Sequence, residues 1–481
     1  MPNLTTFGAT EYMDGALNLA VLNELFLRGA SSGGRGRPTR GRALVDYNDI
    51  EEDKERRREC KDLEAVDFTG CISAVFVNAL AEFVNTHLLP PSEVESGSEE
   101  EDTVRRRSRS ERVGPYEPLV FPGLQRLGMR GVKSILARSL GPFLMAFPRL
   151  THLDLSGTRL TPEILEALGQ SQTMRLKSLA LARCIKLTSE SIRRFLIGSP
   201  VTSELTELSL YGDMTYVSPL RPSDLRDIVT LAPCFLSGNL IYLDLSSTRM
   251  DRSILSAFKP QPRLRSLGLS HILHLDLMAV TEFVKDKAPN IEILTLINTS
   301  PELDCGIRLP TNNPRSATQQ STMALFNQLI QPLCHTPFSF SASSQSPASR
   351  VRVIELSTAM LGALGGGAGS WRIIRSKGGR GWYVDTAAAW VAEPGSSAGS
   401  VLRRDLPPDH PHRIEMCKLS DANGNVNSGI GWHARKMEVM IFFSNCFAEL
   451  IEHFFRSSTV TVCLDVKLVY MVLSLLPTKG R

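Results

Sequence analysis

Hydrophobic positions along this chain recur in one figure: leucine, two residues, leucine, one residue, leucine, then a small or polar residue three positions on. Leu150, Leu153 and Leu155, followed by Thr158, make one copy, and further copies start at Leu176, Leu205, Leu240, Leu264 and Ile291. The steps between these starts are 26, 29, 35, 24 and 27 residues, a period of stacked supersecondary units. Weaker copies are read at Leu22/Leu25/Leu27, Leu63/Val66/Phe68, Leu124/Leu127/Met129 and Val351/Ile354/Leu356.

Leu153 and Leu155 are two apart, so on a strand they share one face, while His152, Asp154 and Ser156 take the other. One such strand cannot bury itself, but stacked copies merge their leucines into a continuous core. A helical stretch follows each strand. Thr161-Pro162-Glu163 is a start signal, with Ile164, Leu165 and Leu168 at helical spacing behind it. Thr188-Ser189-Glu190 opens another helix with Ile192, Phe195 and Leu196 as its apolar face, and Ser223-Asp224 and Asp251 open two more. The predicted fold is α/β: an open solenoid, a horseshoe with a parallel inner sheet and outer helices, over residues 1–361.

Three insertions interrupt the period and are expected to be disordered: 31–58, 90–118 and 300–349, the last with room for a short helix at 324–333. The period stops after Leu361. Residues 362–436 then read as a cap, because the apolar alternation of 371–384 around Lys-Gly-Gly predicts a hairpin able to cover the last strand. Residues 437–481 change texture and form an apolar tail whose origin is open. Within it, 459–476 approaches the length of a membrane span but carries Asp465 and Lys467. A buried strand or helix pair and a shifted or unspliced reading frame are the other two readings.

The repeat resembles the ribonuclease-inhibitor-like and cysteine-containing classes of leucine-rich repeat. The position that is Asn in many such repeats is here Cys71, Thr158, Cys184, Asp213, Thr248 and Thr299, and Cys or Thr there is expected to bond the loop backbone. The chain also resembles the repeat half of F-box/leucine-rich-repeat proteins. That resemblance implies an intracellular scaffold or adaptor that captures a protein partner on its concave face, extending to substrate recognition for a ubiquitin ligase and its scaffold protein. The stretch Leu89-Pro90-Pro91-Ser92-Glu93-Val94 mimics an F-box opening, but Gly, Ser and Glu follow it instead of amphipathic helices. The alternative is a leucine-rich-repeat GTPase-activating protein, a class that pairs such repeats with acidic segments like 93–102.

On the predicted inner face most residues are small. Arg126, Arg130, His152, Tyr211 and Tyr242 are expected to stand proud as partner-binding anchors, with Asp154, Glu207 and Asp244 as polar neighbours. Asp154 and Asp244 hold equivalent positions three strands apart, roughly 14 Å, too wide for a two-carboxylate hydrolase.

Composition changes this picture little. A net charge of +4 over 481 residues does not by itself imply nucleic acid or membrane binding. The basic run 105–112 reads either as a nuclear localisation signal or an RNA or acidic-partner patch, regulated at Ser108 and Ser110, or as a charge block balanced by the neighbouring acids. Nine cysteines without a C-x-x-C pair, and residues 1–20 without a signal-peptide pattern, predict reduced thiols in a cytoplasmic or nuclear protein. His410, His412, His433 and Cys417 match no zinc spacing. No phosphate loop, dinucleotide fingerprint, nucleophile elbow or kinase set occurs, so no enzyme, catalytic residue, metal or cofactor is expected, nor a small-molecule or nucleic-acid ligand.

Overall fold

The computed structural model describes residues 4–9, 13–27, 63–89, 119–305, 314–334, 349, 351, 353–365, 371–375 and 381–385. Its core is one twelve-stranded sheet. The strands are β1 (Thr6–Gly8), β2 (Ala65–Asp67), β3 (Arg126–Gly128), β4 (His152–Asp154), β5 (Ser178–Ala180), β6 (Glu207–Ser209), β7 (Tyr242–Asp244), β8 (Ser266–Gly268), β9 (Ile293–Thr295), β10 (Val353–Leu356), β11 (Trp371–Arg375) and β12 (Gly381–Asp385). β1 to β10 lie in sequence order, each parallel to the next, and β12 then β11 close the series antiparallel.

The register holds the leucine figure in line: Leu127, Leu153, Leu179, Leu208, Leu243, Leu267 and Leu294 are direct partners on successive strands. None is more than 1% exposed. Each such leucine contributes about 1.5–3 kcal/mol of burial, so the ladder is the spine of the molecule. The expected bond from the inward Thr or Cys to loop backbone is made, within one repeat or to the one before. Thr158 and Thr248 donate to the carbonyls of Leu155 and Leu245 of their own repeats at 2.7 and 2.6 Å, and Thr299 to that of Leu269 of the preceding repeat at 2.6 Å. The Cys184 thiol donates to Leu155 O at 3.1 Å, and burial pushes its pKa up to about 11, which keeps it a protonated donor and a poor nucleophile.

Helices run back over the sheet between strands. Thr188 caps Ser189–Gly198 in a reciprocal capping box with Ser191, and Asp251 caps Arg252–Ala257 through Ile254 N at 2.8 Å. Asp224, in the first turn of Pro222–Leu231, is half of a link between helices: it accepts from Ser189 and from Arg221 Nε. Burial raises its pKa, but those hydrogen bonds outweigh the effect and hold the carboxyl below its ordinary value.

The structure departs from the sequence reading at two places. Leu22/Leu25/Leu27 is not a strand but part of the helix Leu19–Leu27. Leu22, Leu25 and Phe26 follow helical spacing, and Phe26 sits 5.4 Å from Phe83 and 5.3 Å from Phe121, ring centre to ring centre, in an aromatic cluster under the helices. The first strand is instead β1, where Leu4, Phe7 and Ala9 occupy the leucine positions and Thr6 pairs with Ala65. The second departure lies in 300–349. Its residues 314–334 are helical throughout, with one π-helical stretch at Leu325–Ile330, and Leu325, Leu329, Ile330 and Leu333 are buried in the common core. This is a packed element, longer than the expected 324–333. The insertions 31–58 and 90–118 and the tail 437–481 lie outside the described residues.

At the far end β12 pairs with β10 and β11 with β12. Tyr383 faces Ile354 across the ladder, and its ring stacks on Trp371 at 5.0 Å, so aromatic rings continue the leucine spine and seal it.

Candidate partner-binding surface

The register also fixes two rows on the opposite face of the sheet. Arg126, His152, Ser178, Glu207 and Tyr242 are direct partners in one row, and Asp67, Gly128, Asp154, Ala180, Ser209, Asp244 and Gly268 in the next. Asp154 and Asp244 are therefore three ladder steps apart, as the spacing predicted.

The second row is structural. Asp67, Asp154 and Asp244 each turn one carboxylate oxygen to the amide two residues ahead, on Thr69, Ser156 and Ser246, at 2.9, 2.8 and 3.0 Å. These bonds shape the turn by which the chain leaves the sheet. Asp67 leans over Gly128 and Asp244 over Gly268, so a Cβ at either glycine would overlap the carboxylate. Burial pushes the Asp67 pKa up to about 6, with a smaller contribution from Asp154. Tyr242 donates its hydroxyl to Asp244 at 3.1 Å.

Two of the five expected anchors do not stand proud. Tyr242 is 4% and His152 8% exposed, and Asp154 and Asp244 are buried with them. Tyr242 folds down to the Asp244 carboxylate and His152 to the Thr151 hydroxyl at 2.8 Å, which the alternation alone does not reveal. Arg126, Arg130, Glu207 and Tyr211 remain half-exposed. Arg130 reaches Tyr211 across three strands, guanidinium to hydroxyl 3.5 Å, over the small residues Ser156 and Ala182.

Tyr211 and Arg130 lead to a cluster missed from the sequence. Outside the β6 repeat, the residue leaving the strand turn from β2 to β9 is left-handed: Gly70, Gly131 and Gly157 in the early repeats, with φ 80, 79 and 71°, then Arg183, Ser247, His271 and Asn298, with φ 59, 62, 59 and 52°. A side chain at this angle is strained. At Arg183 the guanidinium is engaged: it lies 3.1 Å from Asp213 and 5.0 Å from the centre of the Tyr216 ring. Lys133 reaches the same ring at 5.8 Å. Tyr216 is carried by the extra residues of the 35-residue step. That loop is held by Asp213, which accepts from Thr215 N and Tyr216 N at 2.8 and 2.7 Å. Around the cluster Ile185, Met214 and Val217 are 67, 62 and 60% exposed. The signal that could have found it was an arginine where preceding repeats hold glycine.

A family model for the Leucine Rich Repeat matches residues 149–171, the unit that runs through β4 into the helix Pro162–Gly169. The fold is a leucine-rich-repeat solenoid. No curated protein matches the chain at a significant level. Leucine-rich repeats serve protein–protein interaction in general. Among the described residues no group of three or more His, Cys, Asp or Glu side chains could hold a metal ion, and no helix is long and apolar enough to cross a membrane.

Proposed function

We propose that this leucine-rich-repeat chain is a protein–protein interaction scaffold or adaptor, and that its contact surface centres on Arg126, Arg130, Glu207 and Tyr211. The Arg130–Tyr211 contact carries the reading. It sets two residue types that dominate interface energetics side by side on a floor of small residues, where a partner backbone can approach. His152, Asp154, Tyr242 and Asp244 support that floor from within the sheet. Recognition of a substrate for a ubiquitin ligase is the finer form of this function. The alternative, activation of a small GTPase, needs an arginine on a repeat-edge loop. Arg183 occupies such a loop, but Asp213 and Tyr216 engage its guanidinium, which favours the scaffold.

Affinity capture with the full chain and with its Arg130→Ala/Tyr211→Ala variant tests the proposal. A partner held by the first and lost by the second supports it, and a ubiquitin-ligase scaffold among such partners supports the finer form. A small GTPase whose hydrolysis the chain accelerates supports the alternative. Identical captures by both proteins would remove this surface. Replacing Tyr242 is a poor test, since at 4% exposure its loss reads as instability.

A further inference from the structure

Four residues after the last leucine of each strand, the chain stands at the same point on the solenoid edge. In the repeats of β3 to β7 this position is Lys133, Arg159, Ile185, Met214 and Arg249, and all five are exposed. Because the strands are in register, these positions succeed one another along the edge in repeat order, Met214 on the inserted loop that Asp213 holds, with Arg130 and Arg183 beside them. The row is cationic at both ends and apolar in the middle.

We propose that this edge binds an acidic peptide segment of a partner protein, with carboxylates at its ends and apolar side chains at its centre. The inference rests on the scaffold reading and adds the chemistry of the partner. Four strand spacings separate Lys133 from Arg249, roughly 19 Å, which about six extended residues span. Arginine clusters recognise acidic motifs, and Met, Tyr and Arg are the side chains enriched at protein interfaces. A nucleic acid fits less well. The Tyr216 ring that would stack a base already carries Arg183 and Lys133, and Ile185 and Met214 offer nothing to phosphates.

The test is fluorescence anisotropy of labelled Glu-Glu-Leu-Leu-Glu-Glu with the full chain. Saturable binding that weakens with added salt is expected, and Lys133→Glu/Arg249→Glu should weaken it about tenfold or more. Ile185→Ser/Met214→Ser should weaken it several-fold. Both pairs are exposed, and an unchanged thermal transition will show that the fold is kept. Absence of binding, equal binding of Glu-Glu-Ser-Ser-Glu-Glu, or tighter binding of hexauridylate overturns the proposal. A captured partner lost with Arg130→Ala/Tyr211→Ala but indifferent to Lys133→Glu/Arg249→Glu overturns the acidic-segment assignment alone and leaves the scaffold reading standing.

Discussion

Replacing Gly128 by alanine should cost far more than one methyl group normally does. The backbone at Gly128 is not left-handed, so alanine meets no conformational penalty there. The obstacle is Asp67 on the neighbouring strand, whose carboxylate occupies the space of the missing Cβ. Asp67 is 3% exposed and its Oδ1 accepts from Thr69 N at 2.9 Å, so it cannot swing into water without abandoning that amide. An unsatisfied buried amide costs about 1–3 kcal/mol and crowding about as much, against about 0.4–1 kcal/mol gained from a stiffer unfolded chain. The expected net loss is about 2–4 kcal/mol, read as a lowered urea midpoint at unchanged slope. Two further proteins isolate the cause. Gly198→Ala, where a Cβ meets nothing within 4 Å, should not destabilise. Gly128→Ala/Asp67→Ala should be no less stable than Asp67→Ala alone, since the clash has gone, leaving a coupling of about 2 kcal/mol. A midpoint for Gly128→Ala within experimental error of the parent, or additive behaviour in the cycle, would refute the reasoning.

The same carboxylate predicts a pH effect. Its folded pKa of about 6 lies above the ordinary 3.8, so the native state binds the extra proton and stability should fall as pH rises from about 4 to 6; Asp67→Asn should flatten that part of the profile in denaturation runs across this range. Leu208→Ala, at 0% exposure in the middle of the ladder, should cost about 2–5 kcal/mol by the same assay, and a loss under about 1 kcal/mol would mean that the spine is not the main source of cohesion. Thr188→Ala removes one arm of the capping box and should cost about 1 kcal/mol in thermal unfolding, with Thr188→Ser restoring most of it.

The parts of this architecture that depend on period were legible in the sequence, and the parts that depend on what long side chains do were not. Leu150 to Leu296 marked six strands because burial leaves no alternative for leucines spaced three and two apart along stacked copies. At Leu22 the same letters served a helix, since Leu22, Leu25 and Phe26 fit a 3.6-residue period as well, and only the aromatic cluster around Phe26 decides between them. The true first strand escaped notice because Phe7 and Ala9 stand where leucines were sought. Polar composition hid the first part of the helix at 314–334, where Ala317 and Ser321 are buried but the leucines and isoleucine of its core face come only later. On the candidate surface, the alternation assigns residues to a face but not their height above it. Tyr242 bends to Asp244, whereas Arg130 and Tyr211 prop each other up across small neighbours.

The antiparallel seal at β12 sets a direction for change in this solenoid. A further unit of the same kind can join the stack only beside a parallel neighbour, and the β12 face of β10 is taken by a strand running the other way. Gene duplication that lengthens or shortens the array must therefore act upstream of β10, by gain or loss of whole units. Such an event leaves both Trp371 and Tyr383 in place, and where it falls between β3 and β6 it shifts Arg130 relative to Tyr211, so this edge of the sheet is conservative in construction while the proposed contact surface is free to drift.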